Sequence, residues 1–247
     1  MRYAAFVACF SALILSLYLV RADGSTAVTS PALILSPAPE SIPALSSFFD
    51  RSSDYDFDLP APGSYVLPAF RKAPNGTVLD HRAQPRNLQD ILAGKISLVS
   101  FIYLACSDSN GCPKAFATLF DIFHVSENFA SQIDDIQLVS LSFNPEQDTP
   151  EMLASFAYPV LADQQRGAKI NWHFLTTEND AALAPLLTGF GQSLSRTGDP
   201  DVINHLLRLY LVDRTGTIRN IYGLGMIDPR LILLDVENLL RQEHPLN

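Results

Sequence analysis

Two apolar runs set the strongest limit on the fold. Lys95 to Leu104 reads KISLVSFIYL and Ile136 to Phe143 reads IQLVSLSF. Both are β-branched and aromatic with few charges, as expected of strands buried on both faces. Such strands need helices above and below them, and the segments between supply helical periods. Pro113 to Phe129 places Phe116, Leu119, Phe120 and Phe123 at spacings of three and four. Asp148-Thr149-Pro150-Glu151 carries a cap residue, a first-turn proline and an acid at the positive end, and so opens a second helix. Leu88 to Leu92 reads as one helical turn, Asn171 to Leu175 as a short strand and Ala181 to Phe190 as a helix. Leu206 to Val212 and Thr217 to Tyr222 form a hairpin around Asp213-Arg214-Thr215-Gly216. Asp228-Pro229 caps a last helix carrying Leu231, Leu234, Val236, Leu239 and Leu240. Upstream, Tyr65 to Phe70 and Gly76 to Leu79 read as short strands around the turn Pro74-Asn75-Gly76. Asn75-Gly76-Thr77 also fits the short and common glycosylation acceptor pattern.

The alternating order of strands and helices, closed by a hairpin, is that of an α/β protein with a mixed sheet flanked by helices, and suggests a thioredoxin-like fold over residues 64–247. Before it, residues 23–63 are rich in Pro, Ser and Ala without helical or strand period, the composition of an extended tether. Met1-Arg2-Tyr3 is a short basic start, and Ala4 to Val20 is an uncharged, mostly apolar run. Residues 1–22 therefore read as a signal peptide cut between Ala22 and Asp23, or as an uncleaved membrane anchor. Either places the remainder outside the cytoplasm; for a bacterial chain that is the periplasm, with a tether to the inner membrane if the anchor stays. The formal net charge of −9 lacks the basic footprint of a nucleic-acid binder, so no nucleic-acid partner is expected.

Three cysteines cannot build a disulfide scaffold, and Cys9 lies inside the apolar leader. Cys106 and Cys112 remain, with five residues between them, on a segment leaving a strand and entering a helix. Pro113 suits a first helical position, and a sulfur at the helix mouth meets the positive end of the dipole, which favours thiolate. Asp108 between them opposes a second negative charge. A permanent disulfide is one reading. A bridge closing so short a loop removes little chain entropy, so a pair that reacts or binds a soft metal is the other.

A metal needs a third ligand. His124 lies 11 residues past Pro113 along the helix, about 16 Å by helical rise. His81 falls in a polar turn, His244 in the C-terminal tail, and His173 beside Trp172 in a short strand. His205 follows a polar loop, Gly191 to Asn204, and enters the strand that would lie beside the cysteine loop in a thioredoxin-like sheet. From position alone it reads as a surface loop residue.

The pattern resembles the Sco/SenC family across roughly Tyr65 to Leu240. The resemblance rests on Phe101-Ile102-Tyr103 before a cysteine pair ending in Cys-Pro, and on Val139-Ser-Leu-Ser-Phe-Asn-Pro-Glu-Gln-Asp148-Thr-Pro150. Asn171-Trp-His-Phe-Leu175, Phe190-Gly191, and His205 ahead of Tyr210-Leu-Val-Asp213 add to it. The resemblance implies a thioredoxin-fold copper chaperone for cytochrome c oxidase assembly. Its copper ligands would fall on Cys106, Cys112 and His205, the cofactor would be copper as Cu(I) or Cu(II), and the partner a copper-accepting protein such as an oxidase subunit, served by a monomer. The chain departs from the family in three places. Five residues separate cysteines that the family spaces by three, Asn144 stands where it has aspartate, and Asn204 replaces the aspartate before the histidine. Two alternatives stay open: a thiol–disulfide oxidoreductase using Cys106 and Cys112 as its redox pair, and a redox sensor signalling through their disulfide.

Overall fold

A computed structural model describes residues 43–243 except 107, 109, 110, 168 and 199–201. The expected leader, Cys9, the first half of the tether and His244 lie outside the described residues.

The two apolar runs form the centre of the sheet. β1 (Arg71–Lys72), β2 (Thr77–Asp80) and β3 (Pro85–Asn87) come first in the chain, followed by α1 (Leu88–Leu92). Then β4 (Ile96–Ile102) and β5 (Ile136–Ser142) pair in parallel, from Ile96 opposite Ile136 to Ile102 opposite Ser142. The helix α2 (Cys112–Val125) crosses between them. After α3 (Pro150–Gln164), β6 (Asn171–Thr176) adds in parallel to β5. Then α4 (Asp180–Phe190) leads to a separate two-stranded ribbon, β7 (Leu194–Arg196) and β8 (Ile203–His205). The chain returns as β9 (Leu209–Val212), antiparallel to β4, turns into β10 (Thr217–Tyr222) and closes with α5 (Pro229–Glu243). The order β1-β10-β9-β4-β5-β6-β2-β3 makes a mixed eight-stranded sheet with parallel strands at its centre.

Every residue of β4 and β5 is buried because helices cover both faces. Alternation sorts the side chains. Leu98, Leu138 and Leu211 pack with α2, α3 and α5, whereas Val99, Val139 and Tyr210 pack with α1 and α4. The few polar residues in these strands are paired. Ser140 Oγ accepts from Trp172 Nε1 at 3.0 Å and lies 3.0 Å from Ser100 Oγ, and Gln137 Nε2 donates to Ile91 O at 2.6 Å. Gly191 ends α4 with φ +69°, a left-handed cap that glycine adopts without strain, and this turns the chain toward the ribbon.

Three parts differ from the sequence expectation. Residues 65–70 do not pair as a strand: Pro68 removes a ladder donor, and Arg219 binds the Leu67 and Pro68 carbonyls instead. The stretch 191–204, expected to be a polar loop, contains β7 and most of β8. Part of the Pro/Ser/Ala-rich stretch lies against the domain. Leu45, 1% exposed, packs in the core, the Tyr55 hydroxyl donates to Ile227 O at 2.5 Å, and Gly63 N donates to Asn238 Oδ1 at 2.5 Å.

Candidate metal centre

The C-terminal end of β4 delivers the first cysteine and the start of α2 the second. After Ile102 the chain leaves the sheet and the backbone turns at Tyr103, where Cys106 N donates to Tyr103 O at 3.2 Å. A buried carboxylate holds this turn. Asp148, 2% exposed, accepts the Leu104 N–H through both oxygens at 3.3 and 3.2 Å and the Ser142 hydroxyl at 2.6 Å. Thr149, the next residue, caps α3 through its hydroxyl. The cap function and the loop anchor are thus divided between neighbours.

Gly111 is the residue before α2, so Cys112 is the first helical residue and Pro113 the second, one place later than the sequence suggests. Gly111 N donates to Asp108 O at 2.8 Å, and a Cβ at Gly111 would sit 3.2 Å from that oxygen. Glycine leaves the room for this approach of Asp108 to the helix start.

Both cysteines are free thiols, with Cys112 3% exposed and Cys106 partly exposed. They line a largely apolar cleft of about 190 Å³ with Ile102, Leu104, Phe116 and Phe156. The Cys106 side chain approaches both Cys112 and the Tyr103 hydroxyl. The helix mouth does not make Cys112 thiolate-prone. Burial pushes its thiol well above the ordinary value, and the neighbouring Cys106 adds to the rise. Desolvation of a buried sulfur outweighs the half-charge of the dipole. The Tyr103 hydroxyl is pushed up to about 12, first by burial and then by Cys106.

His205, the last residue of β8, arrives from the other side, with Cys112 Sγ 3.4 Å from its Nε2. Its Nδ1 lies 2.9 Å from the Ile203 carbonyl, which can only accept, so Nδ1 carries the proton and Nε2 presents its lone pair to the sulfur. Phe143 packs against the imidazole at 4.7 Å between ring centroids, and Tyr103 meets it edge-on at 5.7 Å and 86°. The ring is therefore aimed and walled before any ligand arrives.

The ribbon that carries His205 is itself tied down. Arg196 of β7 donates to Asn144 Oδ1 at 3.0 Å, to Phe143 O at 3.4 Å and to Asp180 at 2.7 Å. Gln192 adds a bond to Leu206 O at 2.6 Å. Arg196, Gln192 and the anchoring role of Asp148 escape sequence reasoning. Each acts across a long chain separation, and no local spacing signals it.

Cys112 and His205 thus meet, and Cys106 meets Cys112. Among the described residues, no three His, Cys, Asp or Glu side chains converge closely enough to hold an ion. The other histidines stay away. His124 packs on the Phe120 ring at 4.4 Å, and His81 and His173 line a separate cleft.

Comparison with known proteins agrees with this architecture. The SCO1 protein homolog of Bacillus subtilis is 28% identical over 135 residues, covering 53% of this chain and 64% of that protein. The match thus spans just under two thirds of that relative. Among solved structures, a SCO1/SenC family lipoprotein from Bacillus anthracis superposes with a TM-score of 0.58 at 21% identity, over 69% of this chain and 95% of that one. Arabidopsis thaliana ScoI with copper bound gives 0.55 at 17% identity, over 69% and 98%. BsSco, a Sco protein described with a disulfide switch, gives 0.53 at 22%, over 70% and 95%. These share the thioredoxin-like fold. Residues 72–241, from β1 through nearly all of α5, match the family described as SCO1/SenC, and the chain belongs to that family.

Proposed function

We propose that the chain is an exported copper-binding metallochaperone that takes Cu(I) as cargo on Cys106, Cys112 and His205 and delivers it during respiratory oxidase assembly. The observation that carries this reading is the aimed imidazole. Nε2 is freed by the Nδ1 bond to Ile203 and faces Cys112 Sγ at 3.4 Å. Two ligands of one ion stand about that far apart when metal–sulfur and metal–nitrogen bonds are about 2.3 and 2.0 Å. Two thiolates and one imidazole suit Cu(I), and the apolar cleft would keep water from the soft ion. Cys106 closes the set by moving toward His205. Binding expels the thiol protons, so the raised Cys112 thiol makes uptake depend on pH. Membrane tethering through residues 1–22 is supported by family membership with a structure named a lipoprotein. Among the described residues, no helix is long and apolar enough to cross a membrane.

The test is competitive Cu(I) titration of the reduced protein. His205→Ala and Cys112→Ser should each weaken binding by more than the ~10–100-fold typical of losing a residue that merely supports a ligand. Parent-like affinity in either variant overturns the ligand set.

The approach of Cys106 to Cys112 also favours a second reading, reduction of a partner's disulfide. The two thiols would give two electrons and two protons to the partner and form their own disulfide. Turnover in a disulfide-reduction assay without stoichiometric copper binding would select it.

A further inference from the structure

A second cleft, of about 310 Å³, opens where β2 leaves β6. β2 meets β6 only through Leu79 opposite Thr176 and Asp80 opposite Leu175, so β6 from Asn171 to Phe174 has no strand beside it on that side. With its amide oriented to pair, Gln164 of α3 covers part of this open edge, accepting from Trp172 N at 2.6 Å and donating to Trp172 O at 3.3 Å. The Trp172 backbone is thereby paired, and the side chains left without partners around the cleft are cationic or basic.

Those groups are Arg82, Arg86, His81 and His173. Among the described residues, none of the four side chains makes a hydrogen bond or ion pair. Every other described arginine and lysine donates to a protein oxygen. The two unengaged guanidiniums therefore face one cavity, in a chain of net charge −9. Asp80 also faces it, but its Oδ1 already accepts from Arg82 N at 2.9 Å and Gln84 N at 3.0 Å. Lys95, nearby, is engaged with the Asp134 carbonyl.

We propose that this cleft binds a small oxyanion, a phosphate or sulfate group on a compact molecule, gripped by Arg82 and Arg86 with His81 and His173 as further donors. Guanidinium forks match such oxygens in geometry and charge. The state of the imidazoles agrees. Burial, then Arg86 and His81, push His173 down to about 4, and burial lowers His81, with Asp80 as the one acidic group opposing both shifts. Trp172 and Leu161 form the apolar part of the wall, which leaves room for a small organic body. The cleft shares no lining residue with the cysteine cleft.

Trp172 is the chain's single tryptophan and lines the cleft, so intrinsic fluorescence reports on it directly. Sodium sulfate, whose charge is constant between about pH 5 and 8, is titrated into the full chain against chloride at fixed ionic strength. A saturable fluorescence change is expected. It should weaken at least tenfold in the double variant Arg82→Ala/Arg86→Ala, whose exposed positions leave the core intact. Affinity should rise as pH falls from 8 to 5, because the anion favours charged His81 and His173, and His173→Gln should flatten that rise. An absent or unsaturable response, or one unchanged in the double variant, overturns the site. A second arm mixes the protein with phosphatidylglycerol or phosphatidylcholine vesicles. Sulfate-competable binding to the former alone identifies a lipid headgroup as the source, and its absence beside a saturable sulfate response identifies a soluble ligand.

Discussion

At the residue scale, the candidate centre depends on groups that touch neither sulfur nor imidazole nitrogen. Asp148 gives its carboxylate to the Leu104 amide, two residues before Cys106, and to Ser142. Asp148→Ala leaves the buried Ser142 hydroxyl and the part-buried Leu104 amide without this acceptor, at a cost of ~1–3 kcal/mol. Urea unfolding should show that loss, and Cu(I) affinity should fall with it. The different burial of the two thiols makes a second prediction. Cys106 is partly exposed, whereas Cys112 is buried with its thiol pushed up, and only the thiolate attacks. Iodoacetamide at pH 8, followed by mass spectrometry, should modify Cys106 well before Cys112. Equal rates would show that burial does not control Cys112.

At the element scale, the β7–β8 ribbon does what a loop could not. It presents His205 from a paired strand, and Arg196 fastens that strand to the end of β5 and the start of α4. Arg196→Met keeps the side-chain bulk and removes the fork. Copper should then dissociate faster while stability drops by only about 1 kcal/mol, because the bond to Asp180 is partly solvated. Stopped-flow transfer to a chelator checks this. Among the strands, the central ones were plain in the sequence because burial on both faces writes a continuous apolar run. The ribbon was hidden. Each three-residue strand carries a single apolar residue, Leu194 or Ile203, and the two strands pair only with each other, so no hydrophobic period records them.

At the scale of the whole molecule, stability should depend on acid through His173. Its folded-state value, about 4, lies below the ordinary 6.5, so the unfolded chain takes up the proton first as pH falls. The stabilising difference is complete above about pH 6.5 and is lost progressively as pH falls toward 4. Groups around the ring are Arg86, His81, Asp80 and Lys95, and of these only Asp80 favours its protonation. Thermal melts from pH 7.5 to 4.5 should show a decline that His173→Gln reduces, by a difference on the order of 1–3 kcal/mol at the acid end. The N-terminal stretch also gains a whole-molecule role. Leu45 and Tyr55 join it to the domain, so deleting 43–58 should lower the melting temperature rather than merely shorten a spacer.

The central strands, the main helices and the family signature, from which Cys106, Cys112 and His205 are proposed as ligands, were legible in the sequence, because hydrophobic period and short motifs are local properties of a chain. Local order could place Cys112 at a helix mouth, but it could not say which force acts on its sulfur. The tertiary structure decided that, since desolvation is set by what packs around an atom. It also decided the tautomer of His205, which follows from one carbonyl, and the service of Asp148 to a loop 44 residues away. The gathering of Arg82, Arg86, His81 and His173 around one cleft came the same way. Residues distant along the chain become neighbours only when the sheet registers, and no spacing in the sequence encodes that register.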